Sequence, residues 1–218
     1  MLLRGLQELL ASVYDTGLPA DVLDYLVTDP VALRELEPAP ARTMPEKLLL
    51  SEAGEELGLA LYLDPELVDR LHRSDPRERL CAENLADFCT VIEGISHFQY
   101  VAWNATRDQR ITLLELELQA EIDKYITARL LLEQQQDATA GRTLHKHLFD
   151  DPDFAADLEP EELTRYRDAS AFAGRYCRSL ESRFPAARIP PGMLHELRRF
   201  YRLPQPAKVS RIRSLPVR

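Results

Sequence analysis

Residues 109–136 offer a helix whose hydrophobic side chains cover almost its whole circumference. Projected at about 100° per residue, Ile111, Leu113, Leu114, Leu116, Leu118, Ala120, Ile122, Tyr125, Ala128, Leu131 and Leu132 surround it. Only Glu115, Gln119, Asp123 and Glu133 form a narrow polar strip. A helix apolar on most sides is stable only as a central element. The rest of the chain must therefore supply layers that cover it.

The first cover lies just upstream. Residues 76–104 carry an apolar stripe of Cys81, Leu85, Phe88, Val91, Ile92, Ile95, Phe98 and Ala102. The short link Thr106-Arg107-Asp108 predicts that this helix and the 109–136 helix are antiparallel neighbours. A third helix over 161–184 places Ala169, Ala173 and Cys177 at i, i+4 and i+8, beside Tyr166, Phe172, Tyr176 and Leu180. That spacing suits close helix packing rather than a cofactor. Leu6, Leu9, Leu10 and Val13 mark an N-terminal amphipathic helix, which Gly17-Leu18-Pro19 breaks. Shorter helices are predicted over 21–28, 31–36, 141–149 and 193–201, with a stiff proline-containing connection at 37–40. Over 46–63, Leu57, Leu59, Leu61 and Leu63 recur at period two after a glycine-containing turn, and this predicts a β-hairpin. Asp64-Pro65 and Asp75-Pro76 each read as a helix start. The fold class is mainly α: a single helical-bundle-like domain around a long antiparallel helix pair, with a small hairpin. Residues 1–184 form that domain. Residues 185–218 form a basic C-terminal helix and tail, packed on it or appended to it, with the tail ordered only on docking.

Composition removes several classes. A chain of 218 residues with 45% hydrophobic content can bury a substantial core, and only 8 glycines rule out collagen-like and low-complexity chains. No apolar run approaches the ~18 residues of a membrane span. The start of the chain reads as an amphipathic helix rather than a secretory signal. Cys81, Cys89 and Cys177 are odd in number and form no CxxC pair. On one helix Cys81 and Cys89 stand about 12 Å apart, beyond disulfide reach. Three reduced thiols fit a cytoplasmic protein.

No GxSxG, Walker-type or GxGxxG pattern is present. The chemistry must be sought in charges on apolar faces. Glu117, Glu121 and Lys124 fall inside the apolar arc of the central helix, and a lone buried carboxylate costs several kcal/mol. Three arrangements would satisfy the acids. They are an internal ion network through Lys124 with an arginine from the 161–184 helix (Arg165, Arg167, Arg175 or Arg183), exposure by snorkelling, or a metal. The metal alternative adds Glu93 and His97, spaced i, i+4 on the preceding helix, and the ligand types suit iron, manganese or zinc. The same projection opposes it. Glu93 and His97 lie about 150–170° from the apolar stripe of their helix, so they meet Glu117 only if that helix is buried on both sides. The ion network leads, with no cofactor. His145 and His147 diverge by about 200° on a helix and read, like His72 and His195, as solvated.

The charge distribution points elsewhere. The net charge is -9, yet residues 185–218 carry eight cationic side chains against the single acid Glu196. Their +7 leaves -16 on the rest. Arg198, Arg199, Tyr201, Arg202, Lys208, Arg211 and Arg213 mix cations with an aromatic, a composition suited to an acidic partner. The seven carboxylates of 150–162 offer an internal one. The leading functional expectation is a non-enzymatic cytoplasmic interaction or regulatory protein that docks a protein partner through this segment. The alternatives are a ferritin-like metal-carboxylate enzyme or metal-binding protein, and nucleic-acid binding through the tail, which the acidic body opposes. Apolar helices of this kind serve equally to bury a homodimer interface.

Overall fold

The computed structural model describes residues 1–37, 42, 44–53, 56–150, 152, 154, 155, 157–185 and 188–216. Helix α5 (Leu113–Gln134) is the centre, as its composition requires. Thr112 caps it by accepting the amide of Glu115 at 3.1 Å. Around it pack α4 (Ala82–Ala105), α6 (Ala138–Phe149) and α7 (Pro160–Arg183), with α1 (Leu2–Tyr14) across one end. The small residues of α7 do what their spacing implies: Ala169, Ala173, Cys177 and Leu180 are wholly buried.

The hairpin forms as the leucine alternation predicts. Strands β2 (Glu46–Ala53) and β3 (Glu56–Leu63) are antiparallel, with Glu46 opposite Leu63, Leu48 opposite Leu61 and Leu50 opposite Leu59. Its turn, at 54–55, and most of the 37–40 connection lie outside the described residues. Directly opposed residues share one sheet face. The face holding Leu59, Leu61 and Leu63 therefore also holds Glu46 and Leu48, and it packs on α4. Helix α4 is thus enclosed by α5 on one side and the sheet on the other.

Several expectations need correction. The predicted 21–28 helix is a single 3-10 turn, Val22–Asp24, followed by β1 (Leu26–Val27). That strand joins β3 in parallel register, Leu26 opposite Leu61 and Val27 opposite Tyr62. Strand pairing satisfies the backbone there better than another helical turn would. Asp75-Pro76 opens only a turn, in which Asp75 accepts the Arg77 amide at 2.9 Å. Helix α4 starts at Ala82, where Asn84 reaches back to accept the Cys81 amide at 2.9 Å. Asp137 caps α6 and starts it earlier than residue 141. Helices α2 (Pro30–Leu36) and α3 (Pro65–Arg73) lie near their predicted positions, each behind an aspartate cap.

The C-terminal tail is not an appendage. After α8 (Pro191–Tyr201), residues Gln205–Arg213 form a further helix, α9. Its Lys208 and Ile212 are wholly buried. The packing of these two side chains ties the segment to the body of the fold.

Candidate functional site

Two polar centres flank α5, and a cleft opens at one end of the second. The first centre gathers Glu93 and His97 of α4, Glu117, Glu121 and Lys124 of α5, Arg165 of α7, and Glu46 at the start of β2. Enclosure of α4 by the sheet brings Glu93 and His97 into the interior, although they lie off its main apolar stripe. Lys124 donates to Glu93 Oε2 at 3.1 Å and pairs closely with Glu121. His97 stands between two acids, with Nδ1 3.5 Å from Glu46 Oε1 and Nε2 3.4 Å from Glu117 Oε2. Arg165 Nε lies 3.9 Å from Glu117 Oε1. The other predicted arginines go elsewhere: Arg183 pairs with Glu196, Arg175 donates to the carbonyls of Arg213 and Leu215, and Arg167 is exposed.

Burial governs the protonation of this centre. It would push His97 down, but Glu117 and Glu46 outweigh it and hold the imidazole well above its usual pKa. Burial raises Glu46 and, despite Lys124, Glu121. Glu93 stays below its usual range because Lys124 and His97 overcome the same burial. Lys124 is held well above the usual range by Glu121 and Glu93 against burial. The neighbouring Cys89 thiol is pushed up to about 12 by burial, so it is no nucleophile at neutral pH.

Glu46 was not among the residues singled out in the sequence. Gly94 marks the contact on α4 without naming its partner. A β-carbon there would stand 2.7 Å from Glu46 Cγ and 2.9 Å from Leu61 Cδ1. A glycine between Glu93 and His97 therefore marks where β2 presses on α4.

The second centre occupies the Glu115, Gln119 and Asp123 part of the polar strip of α5, which is buried. Lys208 Nζ, with no exposure at all, donates to Tyr100 Oη at 2.8 Å and Gln119 Oε1 at 2.9 Å. Tyr100 in turn donates to Glu115 Oε1 at 2.5 Å. Asp123 accepts from Ser96 Oγ at 2.6 Å, from Gln119 Nε2 at 2.8 Å and from Tyr14 Oη. Burial lowers Lys208 to about 7 against the pull of Glu115 and Asp123, and raises Asp123 to about 6 against its three donors.

The remaining C-terminal cations differ in what they touch. Arg198 donates to the carbonyls of Val13 and Ser12 at 2.9 and 3.1 Å, and Arg202 to those of Tyr14 and Asp15 at 3.3 Å. Together they satisfy the open C-terminus of α1. Arg211 grips both oxygens of Glu196 at 2.6 and 2.7 Å, not the acidic 150–162 stretch. Arg199, Arg202 and Arg213 stay exposed. Tyr201 is buried, stacked on Tyr14 at 4.1 Å. Next to it a cleft of about 360 Å³ is lined by Trp103, Arg107, Arg110, Glu115, Tyr201 and Arg202. Arg107 lies 4.1 Å over the Trp103 ring. His145 is also not solvated: its Nε2 lies 2.8 Å from the Gly174 carbonyl oxygen, inside the α6–α7 contact. His147 is exposed as expected.

No helix is long and apolar enough to cross a membrane among the described residues. Compared with known protein families, curated proteins and solved structures, the chain matches none.

Proposed function

We propose that this chain is a non-enzymatic cytoplasmic interaction protein that takes an acidic group of a protein partner in the cleft beside Tyr201. One observation carries the proposal: exposed Arg107, Arg110 and Arg202 surround the aromatic cleft in a chain of net charge -9. Planar guanidinium groups recognise carboxylates with two parallel hydrogen bonds, and Trp103 and Tyr201 supply rigid apolar walls. This narrows the expectation of a basic tail. Lys208, Arg211 and Arg198 hold the fold together and Arg202 also closes the end of α1, so Arg107 and Arg110, from outside the segment, provide most of the docking charge, with exposed Arg202 at its edge. The three free thiols are in keeping with a reducing compartment.

A fluorescent oligoglutamate peptide and a short single-stranded oligonucleotide, titrated with the chain and followed by anisotropy, test the proposal. The peptide should bind, and an Arg107→Ala/Arg110→Ala variant should weaken it at least tenfold. Tighter binding of the oligonucleotide, with affinity falling steeply in salt as counterions are released, would transfer the cleft to nucleic acid. Failure of both probes to bind would end the proposal.

A further inference from the structure

The buried cluster at the start of β2 is independent of the docking cleft. One ligand atom from each of Glu46, Glu93 and His97 lies within 4.8 Å of the others. Two ligands of a common transition ion at ~2.1 Å stand at most about 4.2 Å apart. Small side-chain rotations, each under about 1 Å, would close the set. Acid clusters occur without ions, so proximity alone decides nothing. The second observation is an unmet polar demand. Glu46 and His97 are only 7% and 6% exposed, yet Glu46 Oε1 and His97 Nε2 are buried without an aligned hydrogen bond. Their contacts with each other and with Glu117 have ion-pair distances but lack hydrogen-bond geometry. Buried polar atoms in this condition call for an explanation.

Charge supplies the third argument. The cluster holds four carboxylates and two permanent cations. Lys124 offsets Glu121, and Arg165 stands beside Glu117. Without an ion the His97 proton stands among these acids; a divalent ion would displace that proton and leave Glu46 and Glu93 to balance it. We propose that Glu46, Glu93 and His97 bind one divalent first-row transition ion, manganese or iron(II) before zinc. His97 would use Nδ1, the nitrogen facing Glu46. Its Nε2, 3.4 Å from Glu117 Oε2 and not aligned with it, would turn onto that carboxylate to give the pair that orients a ligating ring. Lys124 holds one oxygen of Glu93 and leaves the other for the ion. Oxygen-rich ligation with one imidazole favours manganese and iron over softer-ligand ions. The arrangement departs from a ferritin-like centre, because Glu46 comes from a strand and Glu121 belongs to Lys124.

The test uses the full chain, stripped by chelation and titrated with Mn²⁺ while electron paramagnetic resonance counts the free ion. The expected result is one ion per chain. Glu46→Gln and His97→Gln should each weaken binding by 100-fold or more. Glu117→Gln should weaken it about 10–100-fold, and His147→Gln should leave it unchanged. A second measurement needs no variant: Mn²⁺ should broaden the wild-type amide resonances of Gly94, His97 and Lys47 first. No uptake at millimolar Mn²⁺ overturns the proposal. So does uptake that folded Glu46→Gln and His97→Gln leave intact, or broadening centred on the acidic 157–162 stretch.

Discussion

Lys208 donates a 2.8 Å hydrogen bond to the hydroxyl of Tyr100, joining residues 108 positions apart in the chain. The bond ties the last helix to the antiparallel pair at the core. A lysine at zero exposure carries a cost, because burial opposes its charge and lowers its pKa to about 7. Tyr100 and Gln119 accept from it in either protonation state, so the site tolerates a neutral amine.

That balance has a definite pH dependence. Unfolded, Lys208 keeps its proton up to its ordinary value of 10.5, whereas folded it releases it near 7. Between those values the unfolded chain binds the extra proton, so the contribution of Lys208 to stability rises with pH. Lys208→Met removes two hydrogen bonds and this dependence. Denaturant melts should show a deficit of about 1–3 kcal/mol at pH 9 that shrinks as pH falls to 6. A deficit independent of pH would mean that the lysine stays charged in the fold.

Asp123 shows the opposite slope. Burial raises its folded pKa to about 6 from 3.8. Between those values the native state holds more protons, so its contribution to stability falls as pH rises through that window. Tyr14, Ser96 and Gln119 all donate to it. Asp123→Asn would replace one acceptor oxygen by an amide donor, so at least one of these three donors must turn or lose its partner. It should lose about 1–3 kcal/mol at pH 7 and abolish the acidic slope, read from thermal melts between pH 4 and 7.

How much of this was legible follows from periodicity. The apolar circumference of 109–136 located the central helix, and Leu57, Leu59, Leu61 and Leu63 located the hairpin. The helix start at Asp75 failed although its bond to the Arg77 amide matches that of Asp64 to Glu66, because a cap bond alone does not propagate a helix. Strand β1 failed because two residues hold no period. Glu117 and Lys124 were found as charges on an apolar arc, and His97 by its i, i+4 spacing from Glu93. Glu46, Lys208 and the burial of Asp123 were not, because each depends on which element covers which face, and a projection of one helix does not contain that. The polar strip of α5 looks like a solvent face until α9 is known to lie on it.

Gly94→Ala sets helix propensity against packing. Alanine favours the helix by about 1 kcal/mol. Its β-carbon, however, would stand 2.7 Å from Glu46 Cγ and 2.9 Å from Leu61 Cδ1, and Leu61 is wholly buried. Overpacking of that kind costs about 1–3 kcal/mol, so the hairpin should be pushed from α4 and the net effect should be destabilising. Hydrogen exchange should report faster opening at Leu48 and Leu61 than at α7. Stabilisation by the variant would show that the sheet shifts freely on the helix.

The packing of α9 changes what a C-terminal truncation measures. Removing the chain from Pro204 onward would take away Lys208, Ile212 and the Arg211 grip on Glu196, all part of the folded core. Ile212→Ala isolates one of these. Loss of a buried isoleucine costs about 2–5 kcal/mol, which at roughly 2–4 °C per kcal/mol for a chain of this size lowers Tm by roughly 4–20 °C. Truncation should lower it further and reduce the helical circular-dichroism signal by more than the deleted nine-residue helix accounts for. A truncated chain that melts like the full one would place α9 outside the cooperative core. A truncation that also abolishes a binding activity would not, by itself, locate the partner surface there. Point changes at exposed Arg107 and Arg110, which leave Lys208 and Ile212 in place, separate docking from folding.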